Sequence, residues 1–372
     1  MIITDFKIRC CSLQDKNFVP QMLKSSDSSG EIEFLVYTIT TECGHTASSF
    51  GFAAKSAHGS ALLAIKALRP LFIGQNALNR EKIWQDFRKA DRWWSHLPIY
   101  SYDPADIYLW ILASLQANQP LYQYIGGYKN QVQVYCSSLV LPNSDAYVAE
   151  ALEVKNAGFK AYKLHPPNHN IDEDLAIHQA VREAVGEDFN LMSDPVAAYS
   201  LNEMVRFAQE LEKLNYLWLE EPLPDEAFSA LRELKSKVNI PIVGAEVLAK
   251  HPYSVAEVIA TNVVDSVRAD VSWSGGITGV LKTANLAEAF HRNCEIHTSI
   301  FHPLELVNLH ICAAISNNSY LELLWPTDKF SFGLKQPIDI KNGIATLPEP
   351  AGLGIEFDWD FIDNHTFQLI EN

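Results

Sequence analysis

Three carboxylates recur at equal spacing in the middle of this 372-residue chain. Asp194, Glu220 and Glu246 each follow a short apolar run, and neighbouring members are spaced 26 residues apart. Carboxylates brought to one point repel each other unless a hard cation lies between them, and ligation by oxygen alone suits Mg²⁺ better than Zn²⁺. A single acid of this kind is more often a helix cap, because Asp and Glu favour helix N-termini. Three in register predict a Mg²⁺ site.

Further ionisable residues extend the series in both directions. They are Lys163, His165, Asp270, His297 and Glu322. Lys163 and His165 are two residues apart in an extended run, so their side chains point to the same face. Asp270 comes one repeat before His297, where a carboxylate would fix one tautomer of the imidazole and raise its basicity. Together these groups predict removal of a proton α to a carboxylate, with Mg²⁺ and Lys163 stabilising the doubly charged product.

These residues lie at or near the ends of short runs rich in β-branched and aromatic residues, and a helical segment follows each run. The runs are Val132–Ser138, Phe159–Leu164, Phe189–Ser193, Tyr216–Leu219, Ile240–Ala245, Asp265–Ala269, Cys294–His297 and Tyr320–Leu324. One helix begins with a capping box, Ser200-x-x-Glu203, followed by apolar residues at helical spacing. Eight strand–helix units in series predict an α/β fold, the (β/α)8 barrel, in which the C-terminal strand ends converge on one mouth.

The parts that flank the barrel have a different pattern. Residues 1–127 mix extended runs with apolar-periodic segments and predict an N-terminal α+β capping domain. The barrel is assigned to residues 128–330. Residues 331–372 form a C-terminal segment, and its stretch 332–358, rich in Pro and Gly, is predicted to fold back onto the capping domain. The polar, serine-rich segment Gln14–Gly30 is interpreted as a surface loop or as a functional loop.

Charge and composition exclude several classes of protein. The chain has 29 Lys and Arg against 45 Asp and Glu, and this net charge of −16 disfavours binding to nucleic acid or to an anionic membrane surface. No run approaches the length of a membrane span, and Met1–Asp5 lacks the charged start of a secretory signal. The six cysteines are scattered without a C-x-x-C pair, as in proteins with reduced thiols. We expect a cytoplasmic protein with a small-molecule partner.

The motifs resemble those of the mandelate racemase branch of the enolase superfamily, over nearly the whole chain. Lys163-x-His165 resembles the family's Lys-x-Lys strand, with His in place of the second Lys. In the pair Glu220–Glu221, the family pattern makes the first Glu the metal ligand. The remaining matches are the metal ligands Asp194 and Glu246, the Asp270–His297 dyad and Glu322, which matches the acid on the eighth strand.

The resemblance implies a Mg²⁺-dependent enzyme that acts on a small carboxylate such as an acid sugar. Lys163 would contact the substrate carboxylate, and Glu322 would form a hydrogen bond with its other oxygen. The capping domain would close over the mouth, with the Gln14–Gly30 loop and the segment near Phe50–His58 setting specificity. Members of the family are often multimers, so we expect a homo-oligomer.

Many members with a His–Asp dyad are acid-sugar dehydratases, and we predict this reaction. His165 or His297 would remove the α-proton of an aldonate or aldarate, and protonated His297 would help to expel the β-hydroxyl, giving a 2-keto-3-deoxy acid. Racemisation or epimerisation of a 2-hydroxy acid is one alternative, and cycloisomerisation of a sugar lactone is another. An alternative of another class is a barrel that binds a sugar acid without turnover.

Overall fold

The computed structural model describes residues 1–14, 31–53, 56–95, 99–249 and 251–371, so the predicted loop Gln14–Gly30 lies outside the described residues except for Gln14. The N-terminal part forms an antiparallel sheet with helices packed against it. Its elements are β1 (Ile3–Gln14), β2 (Glu31–Thr41), β3 (Thr46–Phe52), α1 (Ala57–Phe72), α2 (Arg80–Ala90), α3 (Asp103–Gln116) and α4 (Leu121–Ile125). A π-helical turn, Asp91–Ser95, and a 3-10 turn, Ile99–Ser101, lie between α2 and α3.

Eight parallel strands form a closed barrel. They are β4 (Gln131–Ser137), β5 (Ala161–Leu164), β6 (Asn190–Ser193), β7 (Trp218–Glu220), β8 (Ile242–Gly244), β9 (Ser266–Ala269), β10 (Cys294–Ile296) and β11 (Tyr320–Leu324). Each strand pairs with the next, and β11 pairs with β4 to close the ring. The helices that follow the strands are α5 (Ser144–Asn156), α6 (Ile171–Val185), α7 (Leu201–Lys213), α8 (Phe228–Lys235), α9 (Tyr253–Ala260), α10 (Gly276–Ala289), α11 (His302–Ala314) and α12 (Thr327–Phe330). The predicted (β/α)8 barrel with an N-terminal cap is confirmed.

Each barrel strand is buried on both of its faces, and this explains why its sequence is a short apolar run. Alternate residues form an apolar cluster inside the barrel, and the residues between them pack outward against the helices. The inner cluster consists of Tyr135, Ala161, Met192, Trp218, Val243 and Tyr320. On the outside, α7 begins with the predicted capping box of Ser200 and Glu203 and buries one apolar face. The strand ends therefore project from a rigid, filled core.

The C-terminal segment contains β12 (Ile340–Lys341), β13 (Ile344–Thr346), α13 (Trp359–His365) and β14 (Thr366–Ile370). β13 pairs with the first half of β4, because that half extends beyond β5 and its backbone groups need partners. The prediction that the stretch 332–358 folds back onto the N-terminal part is therefore wrong for the hairpin β12–β13. The prediction is correct for residues on either side of the hairpin, since Phe332 packs near Phe34 and Phe357 near Phe50. β14 also returns there, as the antiparallel neighbour of β1.

Two predictions from composition can be compared with the structure. All six cysteines are free thiols, and five of them are buried while Cys43 is exposed. Within the described ranges, none of the helices combines the length and the hydropathy that a membrane crossing requires.

A buried contact joins the N-terminal part to the barrel. Asp106 in α3 accepts hydrogen bonds from the backbone N–H of Thr278, at 2.8 Å, and from its hydroxyl, at 2.7 Å. Thr278 lies in the first turn of α10, a few residues after Asp270. This contact therefore holds the start of the helix that follows one of the predicted site residues.

Close packing inside α10 generates a prediction about stability. A Cβ on Gly279 would lie 1.9 Å from the carbonyl oxygen of Ser274, which is backbone and cannot rotate away. We expect Gly279→Ala to lower the free energy of unfolding by about 1–3 kcal/mol in urea titrations, because the backbone must shift. Gly59→Ala in α1 is the control, since its Cβ would meet only the Ser56 side chain, at 3.3 Å, and should change stability by less than about 1 kcal/mol. Equal losses in the two variants would contradict this account.

Candidate active site

All eight predicted site residues lie at the C-terminal end of the barrel and are linked by direct contacts. Lys163 and Glu322 lie within β5 and β11, Glu220 ends β7, and the others follow their strands directly or within two residues. The contacts form two groups, one around Lys163 and one around His297, and Arg268 joins them because it lies 2.7 Å from Glu220 and 3.9 Å from Glu246. The contacts within the two groups are Lys163 with Asp194, Glu220 and Glu322, His165 with Asp194, His297 with Glu246, and His297 with Asp270.

Lys163 forms the base of the site and is completely buried. Its Nζ lies 2.7 Å from Glu220 Oε1, 2.8 Å from Glu322 Oε1 and 3.3 Å from Asp194 Oδ2. Burial alone would lower the pKa of Lys163, but the carboxylates of Glu220 and Glu322 outweigh it and hold that pKa well above its usual value. The ammonium group therefore stays charged and holds three acids together.

A second buried cation, Arg268, was missed in the sequence. One of its terminal nitrogens lies 2.7 Å from Glu220 Oε1 and also contacts Glu322 Oε2, and the side chain is completely buried. Arg268 lies in β9 and Asp270 directly follows that strand. Because the two residues are two positions apart in extended backbone, their side chains point to the same side. The alternation that indicated Lys163 and His165 could have identified Arg268 as well.

The acids differ in how deeply they lie. Asp194 and Glu246 line a cavity at the mouth, whereas Glu220 is completely buried below it, with Trp218 donating to its second oxygen at 3.1 Å. Burial raises the pKa of Asp194, but Lys163 and His165 outweigh it and lower that pKa below its usual value. Burial, together with the nearby carboxylates of Glu220 and Asp194, raises the pKa of Glu246 well above its usual value, although Arg268 opposes this effect.

Glu221 also lines the cavity, which the family pattern did not indicate. Its backbone has a positive φ of 39°, its Oε1 is buried without a hydrogen-bond partner, and burial next to Glu246 and Asp194 raises its pKa well above the usual value. Uncompensated carboxylate oxygens of this kind fit a hard divalent cation such as Mg²⁺. In the described part of the chain, no three His, Cys, Asp or Glu side chains are already arranged to hold a metal ion.

The two imidazoles approach the cavity from strands that are three positions apart around the barrel, in the order β10, β11, β4 and β5. His165 Nδ1 lies 2.7 Å from the carbonyl oxygen of Ser138, and a carbonyl can only accept, so Nδ1 carries the hydrogen. His297 Nδ1 lies 3.0 Å from Asp270 Oδ2, which fixes the same tautomer. Both rings therefore direct Nε2 toward the carboxylates of the site, at 3.1 Å from Asp194 and 3.3 Å from Glu246.

Asp270, which orients the imidazole of His297, is itself held in place by burial and by hydrogen bonds. It is completely buried, and its Oδ1 accepts hydrogen bonds from the Ser272 N–H and the Ser299 hydroxyl, both at 2.6 Å. Trp273 packs against the ring of His297 with the centroids 5.0 Å apart. A buried carboxylate with this many donors stays in one position and therefore holds the ring of His297 in one orientation.

The cavity has a volume of about 330 Å³ and is closed partly by the N-terminal part of the chain. Phe52 from β3, which belongs to the predicted segment near Phe50–His58, and Tyr100 from the 3-10 turn belong to its wall. Its base consists of the two imidazoles and the acids, and much of the remaining wall is apolar.

Comparisons with known proteins agree with this geometry. Residues 146–361 match the sequence model of the family described as enolase C-terminal domain-like. An arabinonate dehydratase from Saccharolobus solfataricus is 29% identical over 297 residues, which cover 78% of this chain and 79% of that protein. A 3,6-anhydro-alpha-L-galactonate cycloisomerase from Streptomyces coelicolor is 28% identical over 360 residues, which cover 92% of this chain and 94% of that protein.

A solved structure extends the similarity to the whole fold. The crystal structure of D-glucarate dehydratase from Agrobacterium tumefaciens, complexed with magnesium, superposes with a TM-score of 0.87 and 31% sequence identity. The match covers 99% of this chain and 100% of that structure. The chain therefore belongs to the enolase C-terminal domain-like family, and its resemblance to the mandelate racemase branch of the enolase superfamily is confirmed.

Proposed function

We propose that this protein is a Mg²⁺-dependent acid-sugar dehydratase, a hydro-lyase that removes the α-proton of an aldonate or aldarate and then its β-hydroxyl. The observation that carries the proposal is that two imidazoles of fixed tautomer face one cavity lined by crowded carboxylates, one of which contacts a buried ammonium group. The product would be a 2-keto-3-deoxy acid. Relatives named as arabinonate, D-mannonate and L-talarate/galactarate dehydratases support this class of reaction.

Asp194, Glu220 and Glu246 are the residues that we propose to hold Mg²⁺, and Glu221 lies beside them. The bound ion would supply a positive charge that stabilises the negative charge developing on the substrate's carboxyl group. Lys163 would bind the same carboxyl group. Burial raises the pKa of Glu322, but Lys163 and Arg268 outweigh it and keep that pKa well below the usual value. An ionised Glu322 can only accept hydrogen bonds, so we propose that it orients the two cations.

The hydrogen bonds of the two imidazoles favour different roles. His165 donates from Nδ1 to a neutral carbonyl group, so Nε2 is the atom that would take the α-proton; it contacts Asp194 at 3.1 Å here, and Asp194 would turn to the metal ion. His297 donates from Nδ1 to the buried carboxylate of Asp270, which keeps Nε2 directed at the cavity, where it would give a proton to the departing β-hydroxyl. We propose His165 as the base and His297, oriented by Asp270, as the acid.

A second candidate is cycloisomerisation, because the anhydrogalactonate cycloisomerase aligns with almost the whole chain. Both reactions begin with removal of an α-proton, so the same residues would take part. Racemisation or epimerisation would also begin in this way, and a barrel that only binds its ligand would show neither turnover nor exchange. A dehydratase forms a keto acid that reacts with semicarbazide, whereas an epimerase in D2O only exchanges the α-hydrogen, and a cycloisomerase yields an isomer without loss of water.

The first prediction tests the metal site. The purified protein with Mg²⁺ should form a 2-keto-3-deoxy acid from a member of a library of mono- and diacid sugars, and chelation of the metal should stop the reaction. We expect Asp194→Asn to lose the Mg²⁺-dependent activity by at least a hundredfold with little change in the thermal midpoint, because it removes a charged ligand. Asp172→Asn is the control, since Asp172 is exposed on α6 and should be dispensable. Unchanged activity in Asp194→Asn would remove Asp194 from the ligand set.

The second prediction separates the two imidazoles. His297→Asn should lose dehydration but keep exchange of the α-hydrogen with D2O, since His165 would still remove that proton. His165→Asn should lose both, because no base then remains on that side. NMR of the substrate's α-hydrogen, together with the keto-acid assay, measures the two steps independently. Dehydration by His297→Asn would refute its acid role, and exchange by His165→Asn would refute the assignment of the base.

The third prediction concerns Arg268. Arg268→Met should lower the free energy of unfolding by about 3–5 kcal/mol in metal-free buffer, because it leaves buried carboxylates without a partner. Mg²⁺ should then stabilise the variant more than the wild-type protein, since the ion supplies the missing positive charge. Arg206→Met, which loses one exposed ion pair, should change stability by less than about 1 kcal/mol. Urea titrations with and without Mg²⁺ measure these effects, and an equal Mg²⁺ effect in variant and wild type would contradict the proposed charge balance.

A further inference from the structure

The outer wall of the cavity is mostly apolar, although Tyr100, Ser138, Trp273 and Thr298 also belong to the lining. It includes Phe52, Val140, Val196, Val247, Ile300 and Leu324. These residues come from β3 of the N-terminal sheet, from loops that follow different barrel strands and from the end of β11, so they enclose the cavity from several sides. The groups that can react lie at the strand ends below them. The part of a substrate that extends away from the reacting carbon would therefore contact this wall.

The charges around the cavity are confined to its base and are mostly of one sign. Asp194, Glu221 and Glu246 are the acids that line it, and among the described residues of the lining there is neither a Lys nor an Arg. The two buried cations of the barrel are already engaged, since both contact Glu220 and Glu322. A second carboxylate on the substrate would find no free cation among the described residues of this wall.

We propose that the substrate is a monocarboxylic sugar acid with few hydroxyl groups at its far end, such as a 6-deoxy or anhydro aldonate, and that aldarates are poor substrates. This inference rests on the proposed function, because it takes the reacting carboxylate to lie at Lys163. A second carboxylate would lose its hydration next to apolar side chains without gaining a counter-ion. A terminal hydroxyl would lose hydrogen bonds in the same place, whereas a methyl group would gain from burial.

The size of the cavity supports the same conclusion. Its volume of about 330 Å³ is at the lower end of the range for small-molecule sites. Little space therefore remains for water molecules that could stay with a polar group at the far end of a six-carbon acid. Discrimination must then come from the wall itself, which can accept a methyl group or a ring oxygen more readily than a charge.

Matched acids that differ only at the far carbon test the proposal. One set is galactonate, 6-deoxygalactonate and galactarate, and a second set is mannonate, 6-deoxymannonate and mannarate, each acid in both enantiomers except galactarate, which is meso and serves both series. In the series that is accepted, we expect kcat/KM for the 6-deoxy acid to exceed that for the hydroxylated acid by about tenfold to a hundredfold. The diacid should fall at least another tenfold below. A diacid that matches or exceeds the 6-deoxy acid would overturn the proposal.

Binding measurements distinguish failure of this proposal from failure of the proposed function. Calorimetric titration of the same acids into the His165→Asn variant with Mg²⁺ should give the same order of affinity without turnover. If the wild-type protein neither dehydrates nor exchanges any acid, the proposed function fails, and the order of affinities still decides the substrate class. If diacids are dehydrated best, the dehydratase assignment stands and the inference on the apolar wall is wrong.

A gain of function at the wall is a stricter test. Val247 lines the cavity and is 64% exposed, so an arginine there can be tolerated and would bring a cation to the apolar side. We expect Val247→Arg to raise the ratio of kcat/KM for the diacid to that for the 6-deoxy acid at least tenfold. Phe290→Arg, at an exposed position at the end of α10 outside the cavity lining, is the matched control and should leave the ratio unchanged. An unchanged ratio in Val247→Arg would overturn the placement of the far end in this cavity.

Discussion

Negative charge buried at the barrel axis is the constraint on which the site depends. Several carboxylates meet at the ends of adjacent strands, where desolvation and mutual repulsion would otherwise oppose folding. Lys163 and Arg268 offset part of this charge from below, because both contact Glu220 and Glu322. The charge left at the cavity floor, on Asp194 and on the neighbouring glutamates, is what a divalent cation would neutralise. Folding and the proposed metal binding are thus linked through one electrostatic balance.

The groups that could transfer protons and some of the groups that would contact the rest of a substrate come from different parts of the chain. The groups that can move protons lie on barrel strands, whose filled interior leaves their backbone little freedom to move. Part of the wall that would contact the rest of a substrate comes from elsewhere, since Phe52 and Tyr100 precede the barrel in sequence. The contact between Asp106 and Thr278 holds the two parts together close to Asp270. A change in the wall can therefore alter the preferred substrate without disturbing the proton-transfer groups.

Regular spacing made most of the barrel and its reactive positions predictable from sequence. Each strand–helix unit repeats one polar residue at the strand end, so the period located all eight predicted site residues at one end of the barrel, where Arg268 joins their two groups of contacts. Arg268 was missed because it lies two residues before the position that the period marks, and Glu221 because its positive φ directs the chain differently from a regular strand. The pairing of β13 with β4 was missed because it depends on backbone groups left free by a short neighbouring strand, which side-chain patterns do not encode.

The pairing of β14 with β1 has a consequence for synthesis of the protein. Arg9 lies opposite Leu369, so one edge of the N-terminal sheet stays open on the ribosome until the residues of β14 have emerged, long after those of β1. An open edge is a template for pairing with other chains. We expect the nascent chain to need protection at β1 during translation, and premature termination after the barrel to leave a product that aggregates even though its proton-transfer groups are all present.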